Sequence, residues 1–182
     1  RDWSSDVCSS DLLKEALETF AANHGDAKTC EADLSAVTPD EIAARFSIPK
    51  DGIDVIIGGP PCQGFSIAGK RQSEDPRNKL YKGFISFVNY FRPRAFIMEN
   101  VPNLVAMEGG AIRDQIISDF EKIGYGITYK VLRASDYGVP RHRRRVVFVG
   151  LRNGDKFDFP TPSHGKDRLP FVSSIEALAD LP

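Results

Sequence analysis

Nowhere in its 182 residues does this chain string together the run of about 18 apolar residues that a membrane-crossing helix requires. A bilayer span is excluded. Internal repeats and low-complexity tracts are also absent beyond an oddity at the N-terminus, which excludes solenoids and repeat arrays. Cysteine is scarce: Cys8, Cys30 and Cys62 are odd in number and irregular in spacing, which suggests neither a disulfide framework nor a zinc site. A reducing, cytoplasmic setting follows. Beyond the N-terminal third the only histidines are His142 and His164, and neither has a triad context, which sets a cysteine hydrolase aside. Net charge is nearly absent too, and its value of −1 predicts no polyanionic partner by itself.

The charges that are there are unevenly placed. Residues 1–60 carry 5 basic and 12 acidic side chains, whereas residues 61–182 carry 19 basic and 13 acidic. Within 131–152, six arginines face one acid, Asp136. Charge gathered in this way is the footprint of a nucleic-acid partner. The length suits one domain burying about 70% of its unfolded surface.

Apolar periodicity predicts an α/β architecture. Leu13, Ala16, Leu17 and Phe20 fall on one helix face, as do Tyr81, Phe84, Ile85 and Val88, and then Ile112, Ile116, Phe120 and Ile123. Thr38-Pro39-Asp40-Glu41 is a capping box with proline at the first helical position, opening a short helix that runs to Phe46. Strands near 27–31, 53–57, 95–99, 127–133 and 145–151 alternate with these helices, the pattern of βαβ units and a mostly parallel sheet. Between the last two strands lies only a turn containing Gly138 and Pro140. A parallel pair needs a crossover of about a dozen residues, so these two strands must pair antiparallel.

Three polar motifs sit at strand ends. Ile53-Asp54-Val55-Ile56-Ile57 reads as a buried strand that Gly58-Gly59-Pro60-Pro61 stops abruptly, presenting Cys62 on a stiffened loop. Open α/β sheets bind ligands beyond such carboxyl ends. Ala95-Phe96-Ile97-Met98 likewise delivers Glu99-Asn100-Val101-Pro102. In an extended chain Arg141, Arg143 and Arg145 share one side while His142 and Arg144 share the other. Planar guanidinium forks suit phosphates and base edges. They reach the crevice of Cys62 and Glu99 only if their strand runs against its neighbours.

Together these motifs resemble the cytosine-5 DNA methyltransferase family. Pro-Pro-Cys-Gln-Gly-Phe-Ser at 60–66, Glu-Asn-Val at 99–101 and Arg-x-Arg-x-Arg at 141–145 occur in the family's order and approximate spacing. The resemblance runs from about residue 13 to the C-terminus. Many members carry Gln where this chain has Arg141, which weakens any role for that residue.

The resemblance implies a Rossmann-like sheet of the S-adenosylmethionine-dependent methyltransferases, mostly parallel with an antiparallel final strand. It implies a DNA (cytosine-5)-methyltransferase in which the Cys62 thiolate adds to carbon-6 of a flipped cytosine. Glu99 would bind ring nitrogen 3 and the exocyclic amine, Arg145 the base carbonyl, and Arg143 would brace the pocket. Asp33, Pro61 and Leu80 match positions around S-adenosylmethionine, the implied cofactor. Gln63 and Ser66 would contact DNA, and the loop from Ser66 to Leu80, with Lys70 and Arg71 and then Arg77, would close over it; Arg141 belongs to the same set. The partner would be double-stranded DNA, with no metal and no membrane, and the protein would act on it as a monomer in the cytoplasm at the nucleoid. Two alternatives stay open: a tRNA cytosine-5 methyltransferase, and a catalytically incompetent nucleic-acid-binding fragment.

Both ends look cut. Residues 1–12, Ser- and Asp-rich and without secondary-structure period, match nothing of the family and read as a foreign or artefactual segment, leaving 13–182 as a partial catalytic domain. The glycine-rich cofactor loop and the target-recognition region that the resemblance implies are not found among these 182 residues.

Overall fold

The computed structural model describes residues 8–11, 14–25, 27–34, 36–60 and 78–179. In chain order its elements are β1 (Cys8–Asp11), α1 (Lys14–Asn23), β2 (Lys28–Glu31), α2 (Pro39–Phe46), β3 (Val55–Gly58), α3 (Asn78–Phe91), β4 (Ala95–Asn100), α4 (Ala111–Lys122), β5 (Tyr125–Arg133), β6 (Arg144–Arg152) and α5 (Ser174–Ala177). Among the described residues the strands form two sheets. β1 pairs with β2 in parallel, and a four-stranded sheet has the order β3-β4-β6-β5. The last strand is therefore an inner one. β6 runs antiparallel to both neighbours, with Glu99 opposite Val147 and Arg133 opposite Arg144. The short turn after β5 forces this reversal, as the connection length requires.

Two departures from the sequence reading stand out. Cys8–Asp11, left out of the fold by its composition, is a strand in register with Lys28–Glu31. Ladder hydrogen bonds come from the backbone and need no side-chain period, so the edge of β2 can recruit it. β3 is only half buried: Val55 is 39% and Ile57 72% exposed. It is an edge strand, and Val55 and Ile57 share the face of their ladder partners Ala95 and Ile97, away from the helix-covered core.

The core lies between the sheet and the helices α3 and α4. Phe96 and Met98 from β4, Val146 and Phe148 from β6, and Val88, Ile116 and Phe120 from the helices are all at most 1% exposed. Phe96 stacks on Phe120 with centroids 4.1 Å apart. Its ladder partner is Gly150, where a Cβ would come within 2.0 Å of the Phe96 ring; the missing side chain is the space the ring fills. A second cluster joins Cys30, Ile42, Ala43, Phe87 and Phe91, packing α2 beside α3. The α2 capping box forms as the sequence indicates, Thr38 and Glu41 each bonding the other's backbone N–H.

The far end of the sheet is pinned by Arg92, whose φ of 49° closes α3. Its guanidinium lies over the Tyr125 ring at 5.4 Å and donates to the Ile123 carbonyl. Tyr125 in turn donates to the Pro93 carbonyl at 2.7 Å. No described helix is long and apolar enough to cross a membrane.

Candidate active site

Strand alternation decides which β4 side chains work in the core and which face outward. Phe96, Met98 and Asn100 are buried, while Ala95, Ile97 and Glu99 occupy the other face. Because Glu99 pairs with Val147 across an antiparallel ladder, Arg145 falls on the face and at the end where Glu99 stands, and Arg143, just before β6, reaches the same carboxylate. One carboxylate oxygen, Glu99 Oε1, accepts from Arg145 Nε at 2.7 Å and from Arg143 Nη2 at 3.3 Å. Arg145 is held further by a 2.7 Å bond from Nη1 to the Arg144 carbonyl.

These three side chains remain open to water. Glu99 is 41%, Arg145 27% and Arg143 44% exposed. Ion pairs at such exposure contribute about 0–1 kcal/mol, so fold stability does not account for three charges converging here. What the arrangement offers is a carboxylate and two donor forks converging on a small polar space, fit to grip a planar group with mixed donors and acceptors.

Asn100 supplies the link to the loop after β3. Only 7% exposed, it donates from Nδ2 to the Pro60 carbonyl at 2.7 Å and accepts from the Val101 N–H at 2.9 Å. Gly59 lies close as well, since a Cβ there would sit 3.6 Å from Glu99 Oε2. The start of the loop is thus bonded to the residue that follows Glu99. The sequence reading assigned Asn100 no role. The signal was there: a polar side chain at the inward position of an alternating strand must find hydrogen-bond partners.

The other named residues are placed unevenly. Cys62, Pro61, Gln63, Ser66, Lys70, Arg71 and Arg77 lie outside the described residues, as does the side chain of Leu80 in the first turn of α3. Arg141 does not join Arg143 and Arg145 in one extended face. β6 begins only at Arg144, and Arg141 sits in the preceding turn, its N–H bonded to the Val139 carbonyl at 2.7 Å. A residue in a turn does not follow the strand's alternation. Among the described residues no ion pair joins Arg141 to Glu99.

Asp33 follows β2, and its carbonyl accepts from the N–H groups of Ala36 and Val37. Ala32 and Leu34 beside it pack, as do Ile53 and Ile56, against the cluster of Cys30, Ile42, Ala43, Phe87 and Phe91. An adenosyl group needs an apolar wall and an acceptor for its amine. Among the described residues the exposed Ile57 side chain is a surface of the apolar kind, and a carboxylate such as that of Asp33 is an acceptor of the kind the amine needs.

Fold and site together put the chain among the α/β methyltransferases. A family model of the C-5 cytosine-specific DNA methylases matches residues 4–182, and the chain belongs to that family. It is 43% identical over 149 residues to the Type II methyltransferase M.AgeI of Thalassovita gelatinovora, covering 82% of this chain and 35% of that protein. It is 43% identical over 150 residues to M1.HphI of Haemophilus parahaemolyticus, covering 81% of this chain and 40% of the relative. A crystal structure from E. coli, described as a DNA modification methyltransferase encoded within a prophage, superposes with a TM-score of 0.74 at 30% identity, over 97% of this chain and 48% of its own. The chain thus spans less than half the length of these three proteins.

Proposed function

We propose that the chain carries the base-binding and nucleophilic parts of a Type II DNA (cytosine-5)-methyltransferase acting on a cytosine flipped out of duplex DNA. The observation that carries this reading is the meeting of Glu99, Arg143 and Arg145 beside a loop start held by Asn100. Cys62 is two residues beyond Pro60, and two residues reach at most about 7 Å. That short tether supports placing its sulfur near the same space.

Carbon-5 of cytosine is a weak nucleophile. Addition of the Cys62 thiolate to carbon-6 makes carbon-5 enamine-like, splitting one hard step into two. Glu99 would bond nitrogen 3 and the exocyclic amine, giving nitrogen 3 a proton as sulfur adds. Arg145 would hold the base carbonyl and Arg143 would steady the carboxylate. S-adenosylmethionine, resting against Asp33 and β3, would supply the methyl group. Loss of the carbon-5 proton then expels Cys62. Residues 13–182 would be the catalytic part of a longer monomeric protein working on DNA at the nucleoid.

Duplex DNA containing 5-fluorocytosine tests this with the full-length protein and the methyl donor. A covalent adduct that disappears in Cys62→Ser is the expected result. Reversible, salt-sensitive binding with no adduct would leave only a nucleic-acid-binding module, and an adduct formed with tRNA alone would move the substrate.

A further inference from the structure

The hairpin end that delivers Arg143 and Arg145 contains an electrostatic conflict. Its last rung sets Arg133 directly opposite Arg144, and like charges facing each other across a ladder push the strands apart. Something must draw one of them away. Asp136 takes Arg133 Nε at 2.9 Å, and the Arg133 guanidinium lies over the Phe171 ring at 6.0 Å. The same ring meets His142 edge-on, with centroids 6.2 Å apart at 77°. Phe171 therefore touches both sides of the hairpin, one residue before Arg143.

The segment that brings Phe171 there is fastened along its length. Asp136 accepts at its carbonyl from the N–H groups of Ser163 and His164 at 2.9 and 3.0 Å. Tyr137 donates its hydroxyl to the Pro160 carbonyl at 3.0 Å. The His164 ring packs against Gly138, whose φ is 84° and where a Cβ would come within 2.7 Å of that ring. Within the turn, His142 Nδ1 is 3.2 Å from the buried Ser135 hydroxyl, and the Ala134 N–H donates to the Arg143 carbonyl at 2.8 Å.

We infer that residues 160–171 form a strap across this turn and that Phe171 is a positioning residue: acting through Arg133 and His142, it sets Arg143 and Arg145 against Glu99 without touching the base. The inference rests on the reading that these arginines face the substrate, but its test does not need substrate. Arg145 Nε–H is held by Glu99, and Arg113 Nε–H is held as closely by Asp114, at 2.7 Å on α4. Solvent exchange of both is readable by nitrogen-15 NMR on this chain.

Phe171→Ala is expected to speed Arg145 Nε–H exchange by about threefold, the factor a lost exposed cation–π contact supports, while Arg113 keeps its rate. Phe171→Tyr should restore the wild-type rate. His164→Ala, which frees the strap at Gly138, should act in the same direction as Phe171→Ala. An unchanged Arg145 rate in Phe171→Ala overturns the inference. So does an equal change at Arg113, which would make the strap a support of the whole fold. Failure of the methyltransferase reading would show separately, as absence of the fluorocytosine adduct.

Discussion

The side chain of Asn100 and the carbonyl of Pro60 are joined across 40 residues by a 2.7 Å hydrogen bond. This bond fixes the loop after β3 to the end of β4. Asn100→Ala would leave the Pro60 carbonyl and the Val101 N–H without their partner, and we expect a loss of about 1–3 kcal/mol, read as a lower urea midpoint at unchanged slope. Asn100→Asp keeps the acceptor for Val101 but loses the donor, and should also be destabilised.

Glu99 should behave in the opposite way. Its two ion pairs are exposed, so Glu99→Gln is expected to change stability by less than about 1 kcal/mol. Methyl transfer by the full-length protein should fall by about 10²–10³, the range for removing one preorganised polar contact to a developing charge. A large stability loss with normal turnover would show that the pair serves the fold.

Gly150→Ala tests the packing beneath the site. A Cβ there would lie 2.0 Å from Phe96 Cε1 and 2.4 Å from Cζ, and Phe96 is fully buried against Phe120. Forcing the ring aside should cost about 1–3 kcal/mol, seen as a lower Tm.

Much of this was legible in the sequence because local rules and tertiary packing agree. The Thr38–Glu41 box starts its helix, the four-residue stripes of α3 and α4 became core, and the short turn at 134–143 dictated the reversed last strand. Arg143 and Arg145 followed from that reversal. Arg141 lies outside the strand because the turn uses residues that strand alternation would have counted. β1 was invisible because backbone pairing carries it. Asn100 and Phe171 act through contacts with Pro60 and with Arg133 and His142, 29–40 residues away, and no periodicity reports such distances.

Two capping boxes should give the chain an acid-sensitive signature. Hydrogen bonds from the Thr38 backbone and side chain hold the Glu41 carboxyl below its ordinary value, and those from Ser173 do the same for Glu176. A carboxyl depressed by folding adds stability above its unfolded pKa, near 4.5, and loses it as pH falls through the folded value. The first turns of α2 and α5 should therefore loosen below about pH 4. The protection factors of the Glu41 and Glu176 amides, followed from pH 6 downward, should fall there, and Glu41→Gln should remove that fall at α2.

β6 is last of the described strands yet sits between β4 and β5. During synthesis the native pairing of β4 and β5 with β6 therefore waits until residues 144–152 leave the ribosome. The strand that closes the sheet also brings Arg145 to Glu99. An unfinished copy therefore lacks both part of its core and the Arg145–Glu99 pair, and the two arrive together with the closing strand.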